Sequence, residues 1–268
     1  MVAELPPLRL RLRPVAEPPA ITLPALHENQ NDLTLLVSTH PRARNLAIRL
    51  DTKAGHFILT KPPRTPLAEA QQFARKHQQW LHSQLAQLAP RIEFKHGNTI
   101  PLYGEATQIR LDPTVSTPRV HDAQLLVPPP ENTLQTRLQK YLRGEAGKYI
   151  RDQIPQIIRG IDAAALARSL RQPPETTAVR LTDPATRWGS CSHNGRLAFS
   201  WRLVFAPRWV SHYVIVHEVA HLYHFNHSRK FWSLVDALAP RRQDARRWLQ
   251  KNGDRLLRYG PPPAARGN

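Results

Sequence analysis

The sequence predicts an α+β protein. A β-hairpin precedes a long apolar helix in the C-terminal unit, and an N-terminal β-rich unit contains one helix. Three observations carry this reading. Residues 33–61 alternate apolar and polar side chains in short runs bounded by turn residues. Asn194-Gly195, a strong hairpin signal, separates Thr186–Ser192 from Arg196–Trp201. The apolar run Tyr213–Val216 then leads into His217-Glu218-Val219-Ala220-His221.

That pentapeptide, H-E-x-x-H, has a geometric logic. Helical positions i and i+4 share one face, about 5–6 Å apart at Cβ. Two imidazoles so placed can converge on one zinc ion, with Zn–N bonds of about 2.0–2.1 Å. Glu218 follows the first ligand and projects beside the metal, where it can accept a proton from an activated water. Histidines and a glutamate on a buried helix would otherwise be costly.

A catalytic zinc needs a third protein ligand and an open position. No glutamate follows Glu218 in the chain. His224 would stay on the helical face about two turns from His217, too far for one metal to join both. His227 is chosen over His224, Asp236 and Asp244, on condition that the helix ends near residues 222–226 and the chain turns back. Asn226, tolerant of the left-handed conformation, would help that turn.

Taken in order, residues 1–30 are Pro- and Arg-rich and read as disordered or extended, with the Leu/Arg alternation at 9–13 as a candidate edge strand. Residues 31–130 form the β-rich unit. Strands are expected at Leu33–Val37, Asn45–Asp51 and His56–Thr60. A helix follows over Pro66–Leu88, with Leu67, Ala70, Ala74, Leu81, Leu85 and Leu88 as its apolar stripe. More short strands fill 92–127, with turns at His96-Gly97-Asn98 and Gly104.

Residues 131–260 form the catalytic unit. Its first helix carries Leu134, Leu138, Leu142, Ala146 and Ile150 in register and is expected to end or kink at Pro155. The apolar stretch Ile161–Leu170 reads as helical. After His227, Ser228 is the expected N-cap of a helix bearing Phe231, Trp232, Leu234, Val235 and Leu238. A basic helix over 241–259 and a disordered tail at 261–268 complete the chain.

The net charge of +18 over 268 residues favours polyanions, nucleic acid ahead of membrane. Arg242, Arg246 and Lys251 are the candidate DNA contacts. The single cysteine, Cys191, excludes an intramolecular disulfide and suits a cytoplasmic location; it reads as a small buried residue. No apolar stretch matches a secretory leader or is long enough to span a bilayer, so no membrane partner is expected.

Arg187-Trp-Gly-Ser-Cys-Ser192, Trp201-Arg-Leu203, Ala206-Pro207, Tyr213-Val214, His217–His221, Asn226-His227-Ser228 and Phe231-Trp232 together resemble the YgjP-like metallopeptidase family. That family is similar to the SprT-like and WLM zinc proteases. The resemblance is strongest over about residues 175–235. It implies a zincin-like catalytic fold with one zinc ion on His217, His221 and His227, and Glu218 as general base. It implies a protein or peptide substrate, and a link to proteases that act on DNA-bound proteins. Related proteases with a third histidine at this spacing often carry glycine where this chain has His224. Arg187, Trp188, Tyr223 and His224 are the substrate-side candidates, with Arg187, Tyr223 and His224 able to donate to an oxyanion.

The leading expectation is therefore a zinc-dependent endopeptidase. Alternatives are a nucleic-acid-binding protein with a structural zinc, or a zinc hydrolase of a non-peptide bond. Structural sites are closed by four protein ligands, mostly with cysteine, and one cysteine argues against the first alternative.

Overall fold

Alternation of buried and exposed side chains builds the first sheet of the computed structural model, which describes residues 19–27, 31–163 and 178–262. Its strands are β1 (Ala20–Leu23), β2 (Leu33–Thr39), β3 (Ala47–Asp51) and β4 (His56–Lys61). They lie in the order β1-β2-β4-β3, with a parallel β2–β4 pair flanked by two antiparallel pairs. The sequence reading left β1 inside an extended segment. Ile21 and Leu23 make it a strand, because both bury against Leu33, Leu35 and Val37. The Leu/Arg alternation at 9–13 lies outside the described residues.

The helix expected over 66–88 is built as α1 (Leu67–Lys76) and α2 (Gln78–Gln87), broken at His77 (φ −102°, ψ 8°). Ala70, Ala74 and Leu81 bury as the stripe predicted, whereas Leu67 is exposed at the start of α1.

A second unit spans Leu88–Pro262. It opens with β5 (Thr99–Leu102), β6 (Glu105–Leu111), β7 (Arg119–His121) and β8 (Gln124–Val127), ordered β5-β6-β8-β7. The senses of pairing repeat those of the first sheet, with one parallel pair between two antiparallel ones. Tyr103 and Gly104 turn β5 into β6 with positive φ at both residues (52° and 91°), as a tight two-residue hairpin requires.

The boundary between units falls after Gln87 rather than near residue 130. The reason is a shared core. Ile100, Ile109, Leu125 and Val127 pack in one cluster with Leu134, Leu138 and Leu142 of α3 (Leu134–Ala163) and with Trp201 and Phe205. The second sheet is therefore part of the body that carries the site.

α3 runs through Pro155 without ending. Pro155 is on the exposed side, flanked by buried Ile154 and Ile157, so the Arg151 carbonyl that loses its partner faces the solvent side of the helix. From residue 164 the helix expected over 161–170 lies outside the described residues.

The three-stranded sheet β9 (Val179–Thr182), β10 (Gly189–Cys191) and β11 (Leu197–Ser200) follows, in the order β10-β11-β9. The β10–β11 pair is the predicted hairpin, turning at Gly195 with φ 75°. A 3₁₀ turn, Trp201–Phe205, then feeds α4 (Arg208–Ala220), with α5 (Arg229–Leu238) and α6 (Arg242–Leu256) beyond. Val210, Ile215, Val216 and Val219 bury α4 on several sides, which explains its nearly continuous apolar sequence.

Candidate metal centre and active site

Pro207, in extended backbone, caps α4, and His217 and Glu218 occupy its last turn. The helix then tightens. Leu222 N–H donates to the Val219 carbonyl (3.0 Å) and Tyr223 N–H to that of Ala220 (3.1 Å). These i→i+3 bonds begin the reversal. The left-handed residue expected at Asn226 is absent, since Asn226 has no positive φ. At the far side Ser228 caps α5 by accepting from Phe231 N–H (3.5 Å), as its sequence position predicted.

The reversal brings His227 back over α4. The candidate ligand atoms of His217, His221 and His227 lie within 4.8 Å of one another and could hold a metal ion. His217 Nε2 and His227 Nε2 are 3.3 Å apart. Two nitrogens bound tetrahedrally at about 2.0–2.1 Å would be about 3.3–3.4 Å apart, so the spacing fits zinc. His221 Nδ1–H donates to the His224 carbonyl (3.0 Å), which leaves its Nε2 lone pair for a metal. Burial, then His221 and His227, push His217 down to about 4, so its ring is neutral near pH 7 and can act as a ligand. Fully buried Phe231 holds all three rings, with centroids 5.0, 4.6 and 4.8 Å from His217, His221 and His227. Trp232 stacks on His227 at 5.4 Å.

Glu218 is 7% exposed. Burial pushes its carboxyl up to about 7, and Arg187 partly opposes that rise. A carboxyl poised there can exchange a proton in both directions near neutral pH. The room for it comes from Gly189 in β10, where even one added carbon would collide with the Glu218 side chain. Cys191, two residues on, is pushed up to about 11 by burial and then by Glu218, so it remains a thiol rather than a thiolate ligand.

A cleft of about 410 Å³ opens beside His217 and Glu218. Arg187 and Trp188, two of the substrate-side candidates, line it. The other two do not. Tyr223 is 8% exposed and packs in the core, and His224 contributes its carbonyl to His221 rather than its ring to the cleft. The three candidate DNA contacts also separate. Arg246 lines the cleft, Lys251 is exposed, and Arg242 pairs with Asp236 (2.5 and 3.2 Å) over the Trp232 ring.

Sequence reasoning gave no separate role to three further groups. Gly189 is one, and a glycine within a strand is a signal of close approach. Arg202 is the second. It is fully buried, clasps Asp183 (2.6 and 3.4 Å) and donates to the carbonyls of Leu256 and Tyr259. It thereby ties the turn before α4 to the end of α6. The third is a clamp between His193 at the hairpin tip and Phe225 in the loop before His227, stacked at 4.9 Å.

The family model described as "YgjP-like, metallopeptidase domain" matches residues 44–252, reaching well upstream of the motifs around the site. No curated protein matches the chain. Among solved structures, the metallopeptidase zymogen of Pyrococcus abyssi abylysin aligns at 19% identity and a TM-score of 0.32, over 42% of this chain and 99% of that one. No helix among the described residues is long and apolar enough to cross a membrane. With its match extending over most of the sequence, the chain belongs to the YgjP-like metallopeptidase family.

Proposed function

We propose that the chain is a zinc-dependent endopeptidase of zincin-like type, with one zinc ion on His217, His221 and His227 and Glu218 as general base. The observation that carries this is the meeting of three imidazoles, one of which, His217, lines a cleft together with the buried Glu218. Zinc held there would polarise the scissile carbonyl and make a water molecule easier to deprotonate. Glu218 takes that proton as the water oxygen bonds to the carbonyl carbon. It then delivers the proton to the amide nitrogen as the C–N bond breaks. Its raised pKa suits both transfers.

The chain also offers a place for substrate backbone. β10 is at the edge of its sheet, and one side of it has no strand partner among the described residues. An extended peptide can add to that edge and bring a carbonyl towards Glu218. Arg187 is the substrate-side candidate that lines the same cleft as Glu218.

Action on nucleic-acid-associated proteins has only the charge of +18 behind it. Arg242 is committed to Asp236 and Arg246 to the cleft, so the site favours the peptidase reading without that restriction.

The test is cleavage of a panel of unfolded proteins by metal-stripped chain with and without added zinc. Cleavage should require zinc and vanish in Glu218→Gln, which should keep its metal because the amide is no ligand. An active Glu218→Gln protein would sink the mechanism.

A further inference from the structure

The polar rim of the cleft is cationic. Apart from His217 and Glu218, its polar lining residues are Arg187, Arg246 and Gln250, with Trp188, Tyr213, Val214 and Leu249 as walls. Glu218 is the one acid in the lining, and it is buried.

The state of the two arginines separates them from their neighbours. On and around α6, Arg241 and Arg247 pair with Asp244, and Arg242 pairs with Asp236. Arg187 and Arg246 are both exposed and have neither an ion pair nor a hydrogen bond among the described residues. Both line the cleft that holds His217 and Glu218. Two unpaired guanidinium groups at the edge of a cavity attract a carboxylate, which each can bind in forked geometry.

We infer that Arg187 and Arg246 form a specificity pocket that seats an acidic side chain, Asp or Glu, flanking the bond to be cut. This deepens the endopeptidase reading and rests on it. A cavity of about 410 Å³ with apolar walls suits one side chain, its methylene stem against Trp188 and Leu249 and its carboxylate at the arginines. A polyanion would instead need a track of cations. Close to the cleft that track is interrupted, because Arg241, Arg242 and Arg247 already hold carboxylates.

The test uses full-length chain and labelled peptides of one sequence, carrying Glu, Gln or Lys at a single position scanned along the peptide. Binding is read by fluorescence anisotropy on zinc-loaded Glu218→Gln protein, and cleavage by wild type is read separately. At the responsive position Glu should be preferred over Gln by about fivefold to tenfold, the scale of exposed charge pairs acting together. The preference should shrink as salt is raised. Adding Arg246→Gln should reduce it, and Arg246→Glu should turn it towards Lys, which a misfolded variant could not do.

Binding with this preference but no cleavage of any peptide would remove the endopeptidase reading and leave the acidic pocket standing. Cleavage and binding blind to the Glu, Gln and Lys series would overturn the pocket and leave the peptidase. An Arg246-dependent affinity for a single-stranded oligonucleotide, without any preference among the peptides, would also overturn it.

Discussion

A carbon added to Gly189 would lie 2.5 Å from Glu218 Cγ and 2.7 Å from its Oε1. The strand of the hairpin and the last turn of α4 thus approach so closely that only hydrogen fits between them. The contact at Cγ leaves the carboxylate little freedom to swing aside. It explains how a glutamate can be both buried and held at one place beside the three histidines.

Gly189→Ala should therefore displace the base without touching a metal ligand. Displacements of about 1 Å at a reacting group cost on the order of a hundredfold in rate. Cleavage should fall by about that factor while zinc content, measured by elemental analysis, stays near one per chain. Full activity in Gly189→Ala would show that Glu218 need not sit where it does.

The ligand set makes a paired prediction. His227→Ala should strip the zinc or weaken it strongly, because it removes one of three converging nitrogens. His224→Ala should leave stoichiometry unchanged, because residue 224 supports His221 through its backbone carbonyl, which alanine keeps. Isothermal titration of both variants with zinc decides the matter, and the reverse pattern would refute the assignment.

Glu218 also sets a pH dependence of stability in metal-stripped protein. Its folded pKa is about 7 against an ordinary 4.5. The folded chain thus holds a proton there that the unfolded chain releases. That contribution is fully present below about pH 4.5 and is lost as pH rises to about 7. Glu218→Gln removes it. The stability of Glu218→Gln relative to wild type should climb between those pH values and level off above them. Urea midpoints in chelator at several pH values check this, and a flat difference would contradict the burial argument.

Arg202 is the structural counterpart. Removing one partner of a buried ion pair costs about 3–5 kcal/mol, and Arg202→Met also leaves two carbonyls without their donor. Arg202→Met should lower stability by about that amount. The added change Asp183→Asn should recover part of it, since the carboxylate is then no longer left facing an apolar side chain. Chemical denaturation of the single and double variants measures both.

Local patterns in the sequence determined much of this. The i,i+4 spacing of His217 and His221, the Asn194-Gly195 turn, the Ser228 cap and the four-residue ladder from Leu134 to Ile150 each act within a few residues. Their physics is helix periodicity, turn dihedral angles and capping, so each is legible one-dimensionally. The family motifs are contiguous for the same reason. His227, chosen by elimination, does lie with His217 and His221, although the turn that brings it there uses i→i+3 bonds rather than a left-handed Asn226.

Only the tertiary structure decided what lies across the site. Gly189 is 29 residues from Glu218, Arg246 is 29 residues beyond His217, and Arg202 meets carbonyls 54 and 57 residues away. No local rule links such positions, because their contacts depend on how sheets and helices pack. The same holds for the unit boundary. The triple proline at 128–130 reads as a linker, yet the sheet before it and the helix after it bury their apolar faces in one core. Burial likewise sorted the candidates, sending Tyr223 into the core and Arg246 to the cleft. A residue's chemistry is written in the sequence, but the water it loses and the neighbours it gains are set by packing.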